Sequence, residues 1–189
     1  MLTRPASALL HPLAIALGYP DAHWKAFLEE LEAEVREDLP ELAETWAWLV
    51  RQDLVTLQTL YVASFDFDPK TSLTLSAHLP AQVAPGPALV RCVEAVSAAG
   101  YALPGPAWAD HLPTLLEYLA VAEEAPAEIA SWVGTAFAQI ADHLPAGHPY
   151  RPLISWVAHA LPRLPAADQK PREVSLEAAE VVPFPIRYD

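Results

Sequence analysis

Ile129-Ala-Ser-Trp-Val-Gly-Thr-Ala-Phe-Ala-Gln-Ile140 carries the clearest periodicity in the chain. Ile129, Trp132, Val133, Ala136, Phe137 and Ile140 fall at i, i+3, i+4, i+7, i+8 and i+11, the spacing that gathers apolar side chains on one face of a helix. A helix with so broad an apolar face needs other helices around it, and the flanking sequence repeats the pattern. The expected fold is all-α: a single-domain bundle of about eight helices over residues 1–163, then a polar linker and an extended Val-Pro-Phe-Pro tail over 164–189.

Downstream, Leu153, Trp156, Val157 and Ala160 predict a last helix from about Pro149 to Leu161. Upstream, a first helix from about Ala6 to Ala16 ends at Gly18-Tyr19-Pro20, and Asp21 caps a second. That helix turns Trp24, Phe27, Leu28, Leu31 and Val35 inward and leaves Glu29, Glu30, Glu32, Glu34, Glu37 and Asp38 as a solvated acidic face. Pro40 starts a third, with Leu42, Trp46 and Leu49 on one side and Trp48 off that stripe. Leu54, Leu57, Tyr61 and Phe65 mark a fourth; Pro87 opens a fifth carrying Leu89, Val93 and Val96, which Gly100 stops. Asp110 is expected to cap the next, accepting from the Leu112 N–H, with Leu112, Leu115, Leu116 and Leu119 as the buried stripe. The twenty prolines fit this scheme because most lie between apolar-periodic segments or just inside their starts.

A net charge of -13 with no basic run leaves no source for counterion release, which argues against nucleic acid and anionic lipid as partners. One cysteine, Cys92, permits no internal disulfide and fits a reducing compartment. The apolar start is interrupted by His11 and Pro12 and lacks a small-x-small cleavage site, so the cytoplasm is the expected location. His-Leu-Pro recurs at 78, 111 and 143, but in unlike contexts, which excludes a helical repeat.

The least generic stretch is Tyr61-Val-Ala-Ser-Phe-Asp-Phe-Asp-Pro-Lys-Thr-Ser-Leu-Thr-Leu-Ser-Ala-His78. Its first half continues a helix, and Asp66, Asp68 and Pro69 break it with a turn. Leu73 and Leu75 then alternate with Thr74 and Ser76 as in a strand, although a helical chain offers a lone strand nothing to pair with. Ser72, His78 and Asp66 do not make a convincing hydrolase triad, since no Gly-x-Ser-x-Gly elbow or alternation of strand and helix would hold one. His-x-x-x-His, a P-loop and Gly-x-Gly-x-x-Gly are all missing, so neither catalysis nor a cofactor of its own is expected.

Tyr61-x-x-x-Phe65-Asp66, Ser72-Leu73-x-Leu75-x-x-His78 and Asp110-His111-Leu112-Pro113-x-x-Leu116-Glu117-Tyr118-Leu119 together resemble the nitrate reductase delta subunit family. These are NarJ-type assembly chaperones for molybdenum enzymes, within the TorD-like group. Tyr19-Pro20-Asp21 and Glu180-Val181-Val182-Pro183-Phe184 resemble the family's two ends, so the resemblance spans most of the chain. After the histidine the family carries an acidic residue, two arginines and a glycine; here only Gly86 fits that pattern.

The resemblance implies a non-enzymatic chaperone that binds the apo catalytic subunit of a respiratory nitrate reductase or related complex iron–sulfur molybdoenzyme, notably its N-terminal segment. It implies assistance to molybdenum cofactor insertion and complex assembly, in the service of nitrate assimilation. The client-binding residues expected are Tyr61, Phe65, Asp66, Ser72, Leu73, His78, Asp110, Leu112, Pro113, Leu116 and Glu117, with the three acids facing basic residues of the client. Burying about 400 Å² of apolar peptide yields roughly 10 kcal/mol before ordering costs, enough for micromolar to nanomolar affinity. An acidic all-helical interaction module or regulatory adaptor with no molybdoenzyme client has the same surface chemistry and stands as the alternative.

Overall fold

The computed structural model describes residues 9–122 and 125–162. Among them the chain forms eight α-helices and no strand longer than a single bridge: α1 (Leu10–Ala16), α2 (Ala22–Asp38), α3 (Ala43–Arg51), α4 (Leu54–Phe65), α5 (Pro85–Ala98), α6 (Leu112–Val121), α7 (Ala127–His143) and α8 (Arg151–Ala160). The all-α fold follows. The start expected at Ala6 and the linker and tail over 164–189 lie outside the described residues.

Local chemistry sets the boundaries. Asp21 accepts from the Trp24 N–H at 2.7 Å and Asp53 from the Thr56 N–H at 2.9 Å, each satisfying an orphan donor of a helix start. That donor holds the exposed Asp53 carboxyl below its ordinary range. Pro85, Pro113 and Pro152 occupy first turns, where a missing N–H costs nothing. Gly100 adopts φ 84° after α5, and the Tyr101 N–H returns to the Val96 carbonyl at 3.1 Å, a Schellman ending open to glycine.

α7 is the core helix its periodicity predicts: Ile129, Val133, Ala136, Phe137 and Ile140 are fully buried, while Trp132 of the expected stripe is half-buried at its edge. α8 packs back along it so closely that a Cβ on Gly134 would collide with the Pro162 carbonyl. α1 lies on α6, and α2 pairs with α3 through Trp46, whose buried indole donates to the Leu28 carbonyl at 2.9 Å. Lys25 crosses the same pair and donates to the Val50 and Gln52 carbonyls, a cation at the negative end of α3.

Three stripes are rotated from expectation. In α2 the buried face narrows to Trp24, Leu28 and Val35, leaving Phe27 on its shoulder at 52% exposure. In α5 the inward residues are Ala88, Cys92, Ala95 and Val96, while Leu89 and Val93 stay half-buried at the edge. Small side chains at 88 and 95 let the helix approach its neighbours closely, which favours that face over the bulkier one. In α8, Ile154 and Ala158 join Leu153 and Val157, and Ala160 is exposed.

Candidate functional site

The strand-like pair Leu73 and Leu75 does find a partner. Thr74 forms one antiparallel bridge with His111, and the Leu112 N–H donates to the Leu73 carbonyl at 2.9 Å. Both leucines point into the core, while Ser72, Thr74 and Ser76 remain partly exposed. Across the bridge, Asp110 accepts from the Ser76 N–H and from its hydroxyl, each at 2.6 Å. Asp110 therefore does not cap α6. No side chain caps that helix; the Leu112 N–H is satisfied by Leu73, and the carboxylate instead serves the short 3-10 turn at Leu75–Ala77.

His78, 2% exposed, closes this latch. Its Nε2–H donates to the Ser72 carbonyl at 2.8 Å; its Nδ1 lies 3.3 Å from Gln139 Oε1 of α7, and the Gln139 amide donates to the His78 carbonyl at 3.4 Å. Ser72 Oγ meets Thr74 rather than the imidazole, so Ser72 and His78 do not form a nucleophile and base.

Tyr61 and Phe65 lie elsewhere, in an edge-to-face aromatic cluster with Tyr19 and Tyr150, ring centroids 5.0–6.2 Å apart. Burial, then the charge of Asp66, raises the Tyr61 phenol; its hydroxyl donates to the Leu17 carbonyl at 3.2 Å. Phe65 is 3% exposed and Asp66 is exposed at the end of α4. Of the α6 motif, Leu112, Pro113 and Leu116 are buried and Glu117 faces outward. The expected residues thus divide into a latch, an aromatic cluster and the outer face of α6.

One Ser–His contact outside the motif invites a catalytic reading: Ser64 Oγ lies 2.9 Å from His148 Nε2. But the Tyr150 N–H donates to His148 Nδ1 at 3.2 Å, which places the proton of the neutral ring on Nε2. Ser64 Oγ gives its own proton to the Leu60 carbonyl at 2.5 Å. The imidazole donates to the serine, the reverse of what a general base requires.

The open surface lies between α5, α6 and the loop 99–108. Two adjoining hollows of about 660 and 300 Å³ share Tyr101, Tyr118 and Val121. Tyr101, Trp108 and Val121 are 46%, 47% and 44% exposed, an apolar strip that the fold leaves uncovered. Glu94 and Glu117 stand among these lining residues. The single cation there, Arg91, is held at 2.6 Å by Glu128 of α7. The smaller hollow is therefore mostly apolar and the larger one mixed, with Glu117 in the first and Glu94 in the second. Of these lining residues the sequence motif includes Glu117, while Tyr101, Trp108 and Val121 lie outside it. An aromatic in a Pro104-Gly-Pro loop, off every helical stripe, was the signal available.

Among the described residues, eight packed helices make an all-α protein with an open groove beside α6. Residues 28–146 match the model of the nitrate reductase delta subunit family, and the chain belongs to that family. The match runs from α2 to the turn after α7 and includes the latch and the groove. The family is one of molybdoenzyme assembly chaperones rather than catalytic enzymes, and its members bind a molybdoenzyme catalytic subunit. No match is found among curated proteins. Among the described residues no helix is long and apolar enough to cross a membrane.

Proposed function

We propose that the chain is the system-specific chaperone of a respiratory nitrate reductase, or of a related complex iron–sulfur molybdoenzyme. It binds the apo catalytic subunit by its N-terminal segment in the cytoplasm and keeps it competent for molybdenum cofactor insertion and complex assembly. The observation that carries this reading is the meeting of Tyr101, Trp108 and Val121 with Glu117, on the helix that also bears the family motif. An amphipathic leader segment buries its apolar face on the three exposed side chains, and a basic residue beside that face meets Glu117. Glu117 is the motif residue that touches the client; Ser72, Leu73, His78, Asp110 and Leu112 position α6, and Tyr61 and Phe65 fix α4.

The test is a calorimetric titration of the folded protein with a peptide from the N-terminus of the cognate catalytic subunit, at two salt concentrations. Micromolar or tighter binding is expected, weaker at high salt, with the salt dependence reduced in Glu117→Gln. No binding by the folded protein would overturn the reading.

A further inference from the structure

We propose that Val181-Val182-Pro183-Phe184-Pro185-Ile186-Arg187-Tyr188 docks into the groove between α5 and α6 of its own chain and competes there with the client segment. Competition in this sense rests on the groove being the client site, and adds a regulator to it.

Reach is ample. After α8 the chain passes Gly134 at Pro162, and the distance along α7 from position 134 back to Pro126, which lines the groove, is about 12 Å. Residues 163–180 span up to about 60 Å when extended, so the linker imposes no strain. Tethering of this kind supplies an effective concentration on the order of millimolar, which makes even a weak segment a competitor.

The chemistry also fits. Pro183 and Pro185 disfavour an α-helix and favour an extended strip with a fixed backbone, the form that aromatic-lined grooves accept at low entropic cost. The α6 wall from Thr114 to Ala122 is about 12 Å long, the span of roughly four residues in that conformation. Phe184 and the two prolines would pack on Tyr101, Trp108 and Val121. Arg187 follows the apolar run, opposite in sign to Glu117; Asp189, two residues on, carries the other sign, and Arg91 is already engaged by Glu128 and Glu94.

The test uses the full chain with a nitroxide on Asp189→Cys, the native Cys92 being fully buried. The label is expected to broaden the methyl resonances of Val96 and Val121 more than those of Leu28 and Leu49 in the α2–α3 pair. Phe184→Asp should relieve that broadening. In the unlabelled chain it should tighten binding of the leader peptide about tenfold, as expected if the tail fills the groove about nine-tenths of the time. Absence of selective broadening at Val96 and Val121 overturns the docking whatever the peptide does. Broadening with equal peptide affinity in the two proteins overturns the competition. Broadening with no peptide binding to either protein removes the client reading, and the competition with it.

Discussion

The two ends of α6 treat their polar groups differently. At its start the Leu112 N–H goes to Leu73 and the preceding Asp110 is occupied twice by Ser76, so backbone and side chain are both used internally. Further along, Glu117 is exposed beside Trp108 and Val121, with no ion pair of its own among the described residues. A family motif that covers both ends therefore mixes two requirements. Its first residues, Asp110 to Leu112, fasten the loop from Asp66 to His78 to the start of α6, Leu116 and Leu119 fill the core, and Glu117 faces outward. The specificity of a motif does not by itself mark a binding surface.

The largest effect expected on the internal side is at Phe65. Removing a ring that is 3% exposed and packed 5.0 Å from Tyr61 and 5.2 Å from Tyr150 should cost about 3–5 kcal/mol of stability in Phe65→Ala, read from chemical denaturation. Peptide affinity of the fraction still folded should be nearly unchanged. A folded Phe65→Ala protein of normal stability that fails to bind would move the site to the aromatic cluster and dissolve the contrast.

Asp110→Ala comes next. It leaves the Ser76 N–H and hydroxyl without their acceptor, a loss of about 1.5–3 kcal/mol for hydrogen bonds to a charged group. A double-mutant cycle with Ser76→Ala should give a clear coupling energy, because each change alone removes a shared contact. Additive losses would mean that the latch is held by the Thr74–His111 bridge and its buried leucines instead.

Trp108→Ala sharpens the comparison from the other side. With the indole nearly half exposed, stability should change by less than about 1 kcal/mol, while leader-peptide affinity falls by about 2 kcal/mol or more, as for an aromatic anchor at the centre of an interface. Calorimetry and denaturation on one preparation separate the two numbers. A stability loss with unaltered binding would make Trp108 part of the scaffold.

What the sequence made legible follows from the range of the interactions involved. Apolar stripes such as Ile129 to Ile140, and punctuation by Asp21 or Gly100, act within one or two turns, so eight helices could be read in order, although the fifth starts at Pro85 and not at Pro87. Asp110 was misassigned because the capping rule is local, whereas its partner Ser76 is 34 positions away. Leu73 and Leu75 looked like an orphan strand for the same reason: their bridge partner comes from the loop before α6. The groove left still less trace. Tyr101 sits in a loop and Trp108 in the short 3-10 turn Pro106–Asp110, neither with a helical period, and Val121 falls off the buried α6 stripe, so only assembled helices show that nothing covers them.

The smallest effect expected is a pH dependence that belongs to the scaffold and not to the groove. Burial lowers the His148 pKa from its ordinary 6.5, so the folded protein holds this imidazole neutral, donating to Ser64 and accepting from the Tyr150 N–H. Above 6.5 both folded and unfolded forms are neutral at this position and the contribution is complete. As pH falls below 6.5 the unfolded chain takes up the proton first, so stability declines until the lowered folded pKa is passed. His111 acts in the same direction, its burial outweighing the opposing charge of Asp110. Denaturation midpoints measured above and below this range should therefore differ, and His148→Gln should shrink the difference without abolishing it. Leader-peptide affinity at neutral pH should be the same in both proteins, because His148 lines a separate hollow with Trp48 and Pro152, not the groove. A parallel loss of peptide binding in His148→Gln would show that α4 and the groove are coupled, and the division between latch, cluster and binding face would have to be redrawn as one cooperative site.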